Sequence, residues 1–215
     1  MGPDEVYTMF KLNGSDAAAG YTMREPERSM APPHWNLYIA VGNADETAKR
    51  ASELGGTVLL APFDVMTFGR MAVIQDPTGA VFCIWQAYDH KGITVSNEPG
   101  AFCWAELSSP AVDRAKPFYE TLLGWKIGTM EGFPPDYEVI TTGGVPVAGI
   151  EPPATRSPDV PAYWIPYFQV SDVDATVQKA SGLGGRVCVG PVDLPPVRLA
   201  LLTDPQGAAF ATIRM

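Results

Sequence analysis

Few residues in this chain have types and spacing that suit catalysis or metal binding. The sequence contains two histidines, His34 and His90. His34 follows a pair of prolines, His90 lies in a connecting segment, and neither has an acid, base or metal partner nearby in sequence. We therefore predict two solvated loop histidines. Because no G-x-S-x-G motif is present, a serine or cysteine triad would need residues that meet only in the fold.

The cysteines and glycines also lack the patterns of a known site. Cys83, Cys103 and Cys188 are far apart and show no Cys-x-x-Cys spacing. Each has apolar neighbours, which predicts buried free thiols. The glycine pairs at 55–56 and 184–185 end predicted helices rather than begin them, and this argues against a phosphate-binding loop.

The elements that would position a site occur twice in the chain. Residues 35–86 and 164–215 align with a single one-residue gap and are identical at 20 positions. The identities include Trp35 with Trp164. Agreement over this length is not expected by chance, so we predict two copies of one folded unit.

Each copy has the pattern of a strand, a helix and further strands. Residues 37–41 form a short apolar run typical of a strand, and Asn43 and Asp172 are placed to cap the helices that follow. Apolar residues recur along one face of each helix. Gly55 and Gly184 are placed to end these helices. The Asp-Pro-x-Gly segments that follow suit type I turns between strands.

A further unit precedes the second copy. The sequence FCWAEL (102–107) predicts a strand, and Ser109-Pro110 predicts a helix start with proline at the first helical position. Residues 137–151 read as a hairpin. The order predicted for residues 100–215 is therefore βαβββ–βαβββ.

The first copy lacks most of this preceding unit. Residues 7–23 match the hairpin alone, and nothing matches FCWAEL or its helix. We therefore predict an incomplete module over 1–90 with an N-terminal truncation, a linker over 91–99 and a complete module over 100–215. A truncated module would leave a sheet edge through which the chain would self-associate.

Two motifs resemble those of a known superfamily. They are F-Y-x-x-L-x-G-W, from Phe118 to Trp125, and D-P-x-G-A at 76–80 and 204–208. With the paired βαβββ units, they resemble the vicinal oxygen chelate superfamily, also called the glyoxalase/bleomycin-resistance/dioxygenase family, in its two-module glyoxalase-like or hydroxylase subgroup. The resemblance implies an α+β fold of tandem βαβββ modules whose U-shaped mixed sheets each cup a cavity.

The resemblance also locates the metal-ligand positions of the superfamily. Its enzymes hold a divalent metal with His or Glu on the first, fourth, fifth and eighth strands of a module. The first-strand position falls on Trp104, the fifth-strand positions on Asn36 and Ile165, and the eighth-strand positions on Cys83 and Ala211. Trp, Ile and Ala do not ligate metals, and one Cys with one Asn is a poor set for an oxygen-activating ion. We therefore predict no cofactor, with a divalent metal in a rearranged site as the alternative.

The same positions suggest a pocket for a small molecule. Strand alternation places residues two positions away on the same face. The predicted ligand-binding residues are Asn36, Tyr38, Cys83, Trp85, Trp104, Tyr167 and Gln169. Aromatic side chains with a few polar groups are typical of the lining of such a pocket. For the aromatic residues, packing in the hydrophobic core is the alternative. Glu106 is the predicted catalytic acid or base, and its alternative is a structural ion pair or backbone contact.

Composition limits the partners and the location. The net charge is −9 and charged residues make up 18% of the chain. A nucleic-acid-binding protein normally carries a basic face, so neither nucleic acid nor an anionic membrane is predicted as a partner. No apolar run approaches the roughly 20 residues of a membrane span, and we predict a cytoplasmic protein.

Three functions remain open at this level. The first is metal-independent binding of a hydrophobic or aromatic small molecule, for sequestration or as an accessory in metabolite tailoring. The second is a lyase, isomerase or oxygenase that uses a rearranged metal site or Glu106. The third is an interaction module that uses the unpaired sheet edge. Fold does not decide among them.

Overall fold

The computed structural model describes residues 7–215, so the first six residues of the predicted first module lie outside it. In order, the elements are β1 (Tyr7–Leu12), β2 (Ser15–Tyr21), α1 (Glu27–Met30), β3 (Tyr38–Ala40), α2 (Ala44–Glu53), β4 (Thr57–Val65), β5 (Gly69–Gln75), β6 (Val81–Ala87), β7 (Phe102–Ser108), α3 (Val112–Leu123), β8 (Lys126–Gly128), β9 (Glu138–Thr142), β10 (Val145–Ile150), β11 (Tyr163–Gln169), α4 (Val173–Gly182), β12 (Arg186–Leu194), β13 (Val197–Thr203) and β14 (Ala209–Arg214).

This order confirms the α+β fold class and the repeat. From β7 onward the chain runs βαβββ twice, and β3 to β6 form a third copy of the unit. The antiparallel hairpin β1–β2 precedes that copy. Matching ion pairs also relate the copies, since Arg70 binds Asp45 and its counterpart Arg198 binds Asp174.

In each βαβββ unit the first strand pairs in parallel with the last. The sheet orders are β1-β2, β3-β6-β5-β4 and β12-β13-β14-β11-β7-β10-β9-β8. Tyr38 of β3 lies opposite Cys83 of β6, and Tyr167 of β11 lies opposite Ala211 of β14. The helix between the first and second strands provides the crossover that a parallel pair needs.

The contacts divide the chain into two compact units. The first unit consists of the described residues up to Trp35, Gly92–Cys103 and Pro166–Met215. The second unit consists of Asn36–Lys91 and Trp104–Ile165. Each unit therefore combines a segment from residues 1–90 with a segment from residues 100–215.

Local signals explain most of the helix boundaries. Asn43 and Asp172 cap α2 and α4 by accepting from the backbone N–H of the third residue of each helix. Gly124 ends α3 with φ +67°, a left-handed conformation that suits glycine. The predicted start of α3 was wrong, because the Ser109 hydroxyl accepts from the Ala111 N–H and holds a turn before the helix begins at residue 112.

The cysteines follow the prediction in two cases of three. Cys83 and Cys103 are buried free thiols, as predicted, whereas Cys188 is exposed. The prediction for Cys188 was wrong because it lies on β12, a strand at the end of its sheet whose first four residues are all exposed. Across residues 7–215 no helix is long and apolar enough to cross a membrane.

Candidate functional site

The strand β7 presents Trp104 and Glu106 on one face. Both side chains are half-buried, whereas Ala105 and Leu107, which alternate with them, are buried on the opposite face. The neighbouring strand β10 runs parallel to β7 and places Gly149 directly opposite Glu106. The floor beside the carboxylate therefore has no side chain of its own.

Tyr137 fills the space above this floor and joins the two β7 side chains. Its hydroxyl donates to Glu106 Oε2 at 2.7 Å and accepts from Trp104 Nε1 at 3.0 Å. A Cβ atom at position 149 would lie 1.9 Å from the tyrosine Oη. Gly149 is therefore required for Tyr137 to reach Glu106.

Phe133 extends these residues into an aromatic array. Its ring stacks on Trp104 with centroids 5.9 Å apart and an interplanar angle of 21°. It also stacks on Tyr137 at 6.0 Å and 7°. All three rings are half-buried, so part of the array is exposed to solvent. We call Trp104, Glu106, Phe133 and Tyr137 the Glu106 site.

The charges around the Glu106 site favour a ligand with hydrogen-bond donors. Burial raises the pKa of Tyr137, and the charge of Glu106, its hydrogen bond and the charge of Glu151 raise it further. Burial and then the charge of Glu151 also raise the pKa of Tyr163. Tyr137 therefore remains a protonated donor and Glu106 is its acceptor. Glu106 and Glu151 contribute two carboxyl groups here, and the positive charge of Arg156 also acts on Tyr163.

Three other predicted ligand-binding residues lie together in the second unit. The Tyr38 hydroxyl lies 3.8 Å from Met71 Sδ, and its ring meets the edge of Trp85 at 6.2 Å. Cys83, opposite Tyr38 in the sheet, is fully buried. The Trp85 indole donates to the His90 carbonyl at 2.8 Å and packs on the His90 ring. The prediction of a solvated His90 was therefore wrong.

The remaining predicted residues lie elsewhere. Asn36 is half-buried just before β3. Tyr167 and Gln169 lie in the first unit, where the Tyr167 carbonyl accepts from the Cys103 thiol at 3.4 Å. Gln169 Oε1 is buried and has no hydrogen-bond partner among the described residues. The predicted set is thus found in separate groups, and Trp104 and Glu106 share Tyr137 as a hydrogen-bonded partner.

Sequence reasoning missed Tyr137 and Phe133. Both lie in the segment between β8 and β9, and sequence reasoning placed Tyr137 only as the first residue of the hairpin predicted over 137–151. The available signal was Gly149, a residue without a side chain within the strand β10. Such a glycine often marks close approach of another group.

The residues at the family metal positions do not form a donor set. Trp104, Ile165 and Ala211 offer no ligating atom, and the fourth strand, β10, presents Gly149 beside Glu106. Within residues 7–215 no three His, Cys, Asp or Glu side chains are grouped so as to hold a metal ion. The residues present therefore do not fit the ion that the superfamily implies, and we derive no step through it.

Two surface pockets lie away from the Glu106 site. Two pockets of about 280 and 350 Å³ occur in the first unit around Asp172 at the start of α4. Neither is lined by a predicted site residue. In the smaller pocket, Arg198 is already paired with Asp174 and Asp193, which leaves it poorly suited to bind an anion.

Known proteins resemble this chain over nearly its whole length. The chain is 42% identical over 216 residues to "Putative glyoxylase CFP32" of Mycobacterium bovis, an alignment that covers 99% of this chain and 82% of the relative. It is 38% identical over 187 residues to "Anthracycline biosynthesis protein DauV" of Streptomyces sp., covering 86% of this chain and 66% of the relative.

Solved structures show the same fold. The Mn(II)-bound glyoxalase from Novosphingobium aromaticivorans has a TM-score of 0.56 at 17% identity, covering 82% of this chain and 61% of that one. The 2,3-dioxygenase LapB from Pseudomonas sp. KL28 has a TM-score of 0.54 at 13% identity, covering 98% and 83%. At these identities the likeness concerns the fold alone.

The family assignment rests on both halves of the chain. The model of the Glyoxalase/Bleomycin resistance protein/Dioxygenase superfamily matches residues 1–84 and 101–212. The repeat motifs and the βαβββ order of the structure agree with that match. The chain therefore belongs to the glyoxalase/bleomycin resistance protein/dioxygenase superfamily.

Proposed function

We propose that this protein binds a planar, largely apolar small molecule at the Glu106 site, without a metal ion. The observation that carries the proposal is the stacked array of Trp104, Phe133 and Tyr137 directly beside a carboxylate. The ligand stacks on the array and presents a hydroxyl or amine to Glu106. Binding serves to sequester the molecule or to assist its tailoring.

The chemistry of the four side chains supports this ligand class. Aromatic pairs contribute about 0.5–1.5 kcal/mol beyond the area that they bury. A carboxylate can accept several hydrogen bonds, so Glu106 can accept from a ligand as well as from Tyr137. A hydrogen bond to a charged group is stronger than one between neutral groups. An apolar wall with one charged acceptor therefore selects flat molecules that carry a donor.

The names of the relatives agree with the same ligand class. Two relatives, 38% and 37% identical to this chain, are named anthracycline biosynthesis proteins. An anthracycline contains a planar fused-ring system with hydroxyl groups. Such a molecule has the flat face and the donors that the Glu106 site would accept.

An enzyme that uses Glu106 as a general base is the second candidate. The hydrogen-bonded series Trp104–Tyr137–Glu106 favours it, because it fixes the carboxylate orientation and provides a protonated tyrosine beside it. The reaction class would be proton abstraction, as in a lyase or isomerase. The relative named as a glyoxylase agrees with an enzymatic role.

The proposal is tested by titration with 1,8-dihydroxyanthraquinone, a flat aromatic probe with two hydroxyl groups. Tryptophan fluorescence and calorimetry should show saturable binding of one probe per chain. Trp104→Ala should weaken binding by about tenfold, since it removes one stacking partner and its buried area. Glu106→Gln should weaken it by about three- to tenfold. Glu46→Gln, an exposed carboxylate on α2, is the matched control and should bind like the wild type.

The outcomes separate the two candidates. Saturable binding with no change in the recovered probe supports a binding protein. Equal affinity for wild type, Trp104→Ala and Glu106→Gln would remove the Glu106 site as the place of binding. A product that forms with wild type and not with a folded Glu106→Gln variant would favour the enzyme.

A further inference from the structure

The segment 129–137, which connects β8 to β9, contributes two of the four side chains of the Glu106 site. Its ends are held together, because Gly128 and Val139 lie opposite each other in the β8–β9 pair. Three residues of the segment are half-buried, namely Met130, Phe133 and Tyr137, and the other six are exposed. A compact surface loop whose ends are close together is an Ω-loop, a type that is frequently functional.

The segment has internal structure that does not depend on the sheet. The Phe133 N–H donates to the Met130 carbonyl at 3.2 Å, and the Tyr137 N–H donates to the Pro134 carbonyl at 3.0 Å. Gly132 has φ +91°, a conformation that suits glycine and sets the turn before Phe133. These features lie within the segment, so it can move as one piece and keep them.

In its present position the segment obstructs the ligand for which the Glu106 site is proposed. Phe133 stacks on Trp104 with centroids 5.9 Å apart, and the Tyr137 hydroxyl donates to Glu106 Oε2. A planar ring placed between two others needs about 3.5 Å on each side, which makes about 7 Å between the outer rings. The present spacing falls short of this by about 1 Å. A ligand between Trp104 and Phe133 therefore requires the segment to move outward.

We propose that residues 129–137 form a lid that opens to admit a planar ligand between Trp104 and Phe133 and then closes over it, with the Tyr137 hydroxyl as its latch. The inference rests on the function proposed for the Glu106 site, and it adds how that site is opened. In the closed lid the hydroxyl joins Glu106 and Trp104, which both lie on β7. When these two hydrogen bonds break, the lid is released with its own backbone bonds intact.

The hydrogen bond to Glu106 contributes most to the latch, because a bond to a charged acceptor is stronger than one between neutral groups. In Tyr137→Phe the ring is retained and both hydrogen bonds of the hydroxyl are lost. The half-buried carboxylate then lacks this donor in the closed lid, whereas water solvates it in the open lid. The variant should therefore favour the open lid by about ten- to hundredfold relative to the wild type.

The first test follows the Phe133 ring by NMR in the ligand-free protein, with assignment by a Phe133→Leu variant. Because this ring lies between those of Trp104 and Tyr137, their ring currents should shift its signals upfield in the closed lid. In Tyr137→Phe the signals should move toward those of an exposed phenylalanine and show millisecond exchange by relaxation dispersion. Tyr88→Phe is the matched control, since its hydroxyl is exposed, and should leave the signals unchanged.

The second test measures the rate at which 1,8-dihydroxyanthraquinone binds, by stopped-flow tryptophan fluorescence. In the wild type the observed rate should level off at high probe concentration, where opening of the lid becomes limiting. Tyr137→Phe should raise this plateau by about ten- to hundredfold, and Tyr88→Phe should not change it. Phe133→Leu keeps the tyrosine latch but loses one stacking ring, and it should raise the dissociation rate by about two- to tenfold.

A second latch variant covers the case in which Tyr137→Phe does not fold, as judged by circular dichroism. Glu106→Gln replaces the charged acceptor of the same bond and should move the Phe133 signals in the same direction.

Two results would overturn the lid. One is identical Phe133 signals and relaxation dispersion in the wild type and in the folded latch variants. The other is an association rate that rises linearly with probe concentration and is equal in the wild type and Tyr137→Phe. Failure of the probe to bind any of these proteins would instead overturn the proposed function, and the Phe133 signals of the ligand-free proteins would still decide whether the lid opens.

Discussion

Replacing Tyr119 with phenylalanine removes a single oxygen from the core of the second unit and should destabilise the protein strongly. The ring itself is retained, with its stacking on Trp125 at 5.6 Å and its edge contact with Trp164. Because packing volume is conserved, the change reports on the hydrogen bonds of the hydroxyl and little else.

The magnitude follows from the two groups that lose their partner. Trp164 Nε1 would keep no acceptor and Asp76 Oδ2 no donor, in a region that is at most 6% exposed. Leaving a buried polar group unsatisfied costs about 1–3 kcal/mol, and more for a charged one. Asp76 Oδ1 retains its hydrogen bonds to Thr78, Gly79 and Ala80, which limits the loss. The expected decrease in the free energy of unfolding is about 3 kcal/mol.

Urea denaturation followed by tryptophan fluorescence and circular dichroism measures this loss. With a slope of about 2 kcal/mol per molar urea, the midpoint should fall by roughly 1.5 M. Tyr88→Phe is the matched control, since its hydroxyl is exposed and bonds Asp64 at 3.2 Å, and it should cost less than about 0.5 kcal/mol. A loss below about 1 kcal/mol for Tyr119→Phe would show that the two hydrogen bonds of this hydroxyl contribute little to stability.

Three further predictions concern pH, the floor of the Glu106 site and the two Asp turns. Burial raises the pKa of Tyr119 well above its usual value near 10, so the stability that the protonated hydroxyl contributes is full below about pH 10 and is lost as the pH rises further. Above pH 10, the free energy of unfolding of Tyr119→Phe should therefore fall with pH less steeply than that of the wild type, by about 1.4 kcal/mol per pH unit. Equal slopes for the two proteins would contradict this. Gly149→Ala should displace Tyr137 and weaken binding of 1,8-dihydroxyanthraquinone by about tenfold or more, while the circular dichroism spectrum stays that of the wild type. Unchanged affinity would show that the position of Tyr137 over Gly149 does not matter for binding. Asp76→Asn should lower the urea midpoint more than Asp204→Asn, since only Asp76 receives a tyrosine hydroxyl; equal shifts would argue against this difference.

The element order was predictable because its signals are local. Asn43 and Asp172 cap their helices through their own side chains, and Asp-Pro-x-Gly turns set the following strands. Repetition of these signals made the βαβββ unit visible without any tertiary information. The start of α3 was misplaced for a local reason as well, since Ser109 forms a turn that delays the helix.

The Glu106 site was predictable only in part. Strand alternation placed Trp104 and Glu106 on one face, and the structure shows this. The approach of Tyr137 depends on the register between β7 and β10, which sets Gly149 opposite Glu106. Sequence spacing carries no information on that register. Which of the other predicted residues lie near one another likewise depends on tertiary contacts, because these decide which segments of the chain belong to the same compact unit.

A crystal structure of the chain with bound 1,8-dihydroxyanthraquinone would locate the ligand relative to the Glu106 site. We expect the probe stacked within about 4 Å of the Trp104 ring, with one hydroxyl within about 3.2 Å of a Glu106 carboxylate oxygen. A saturated complex in which the probe contacts neither residue would contradict it.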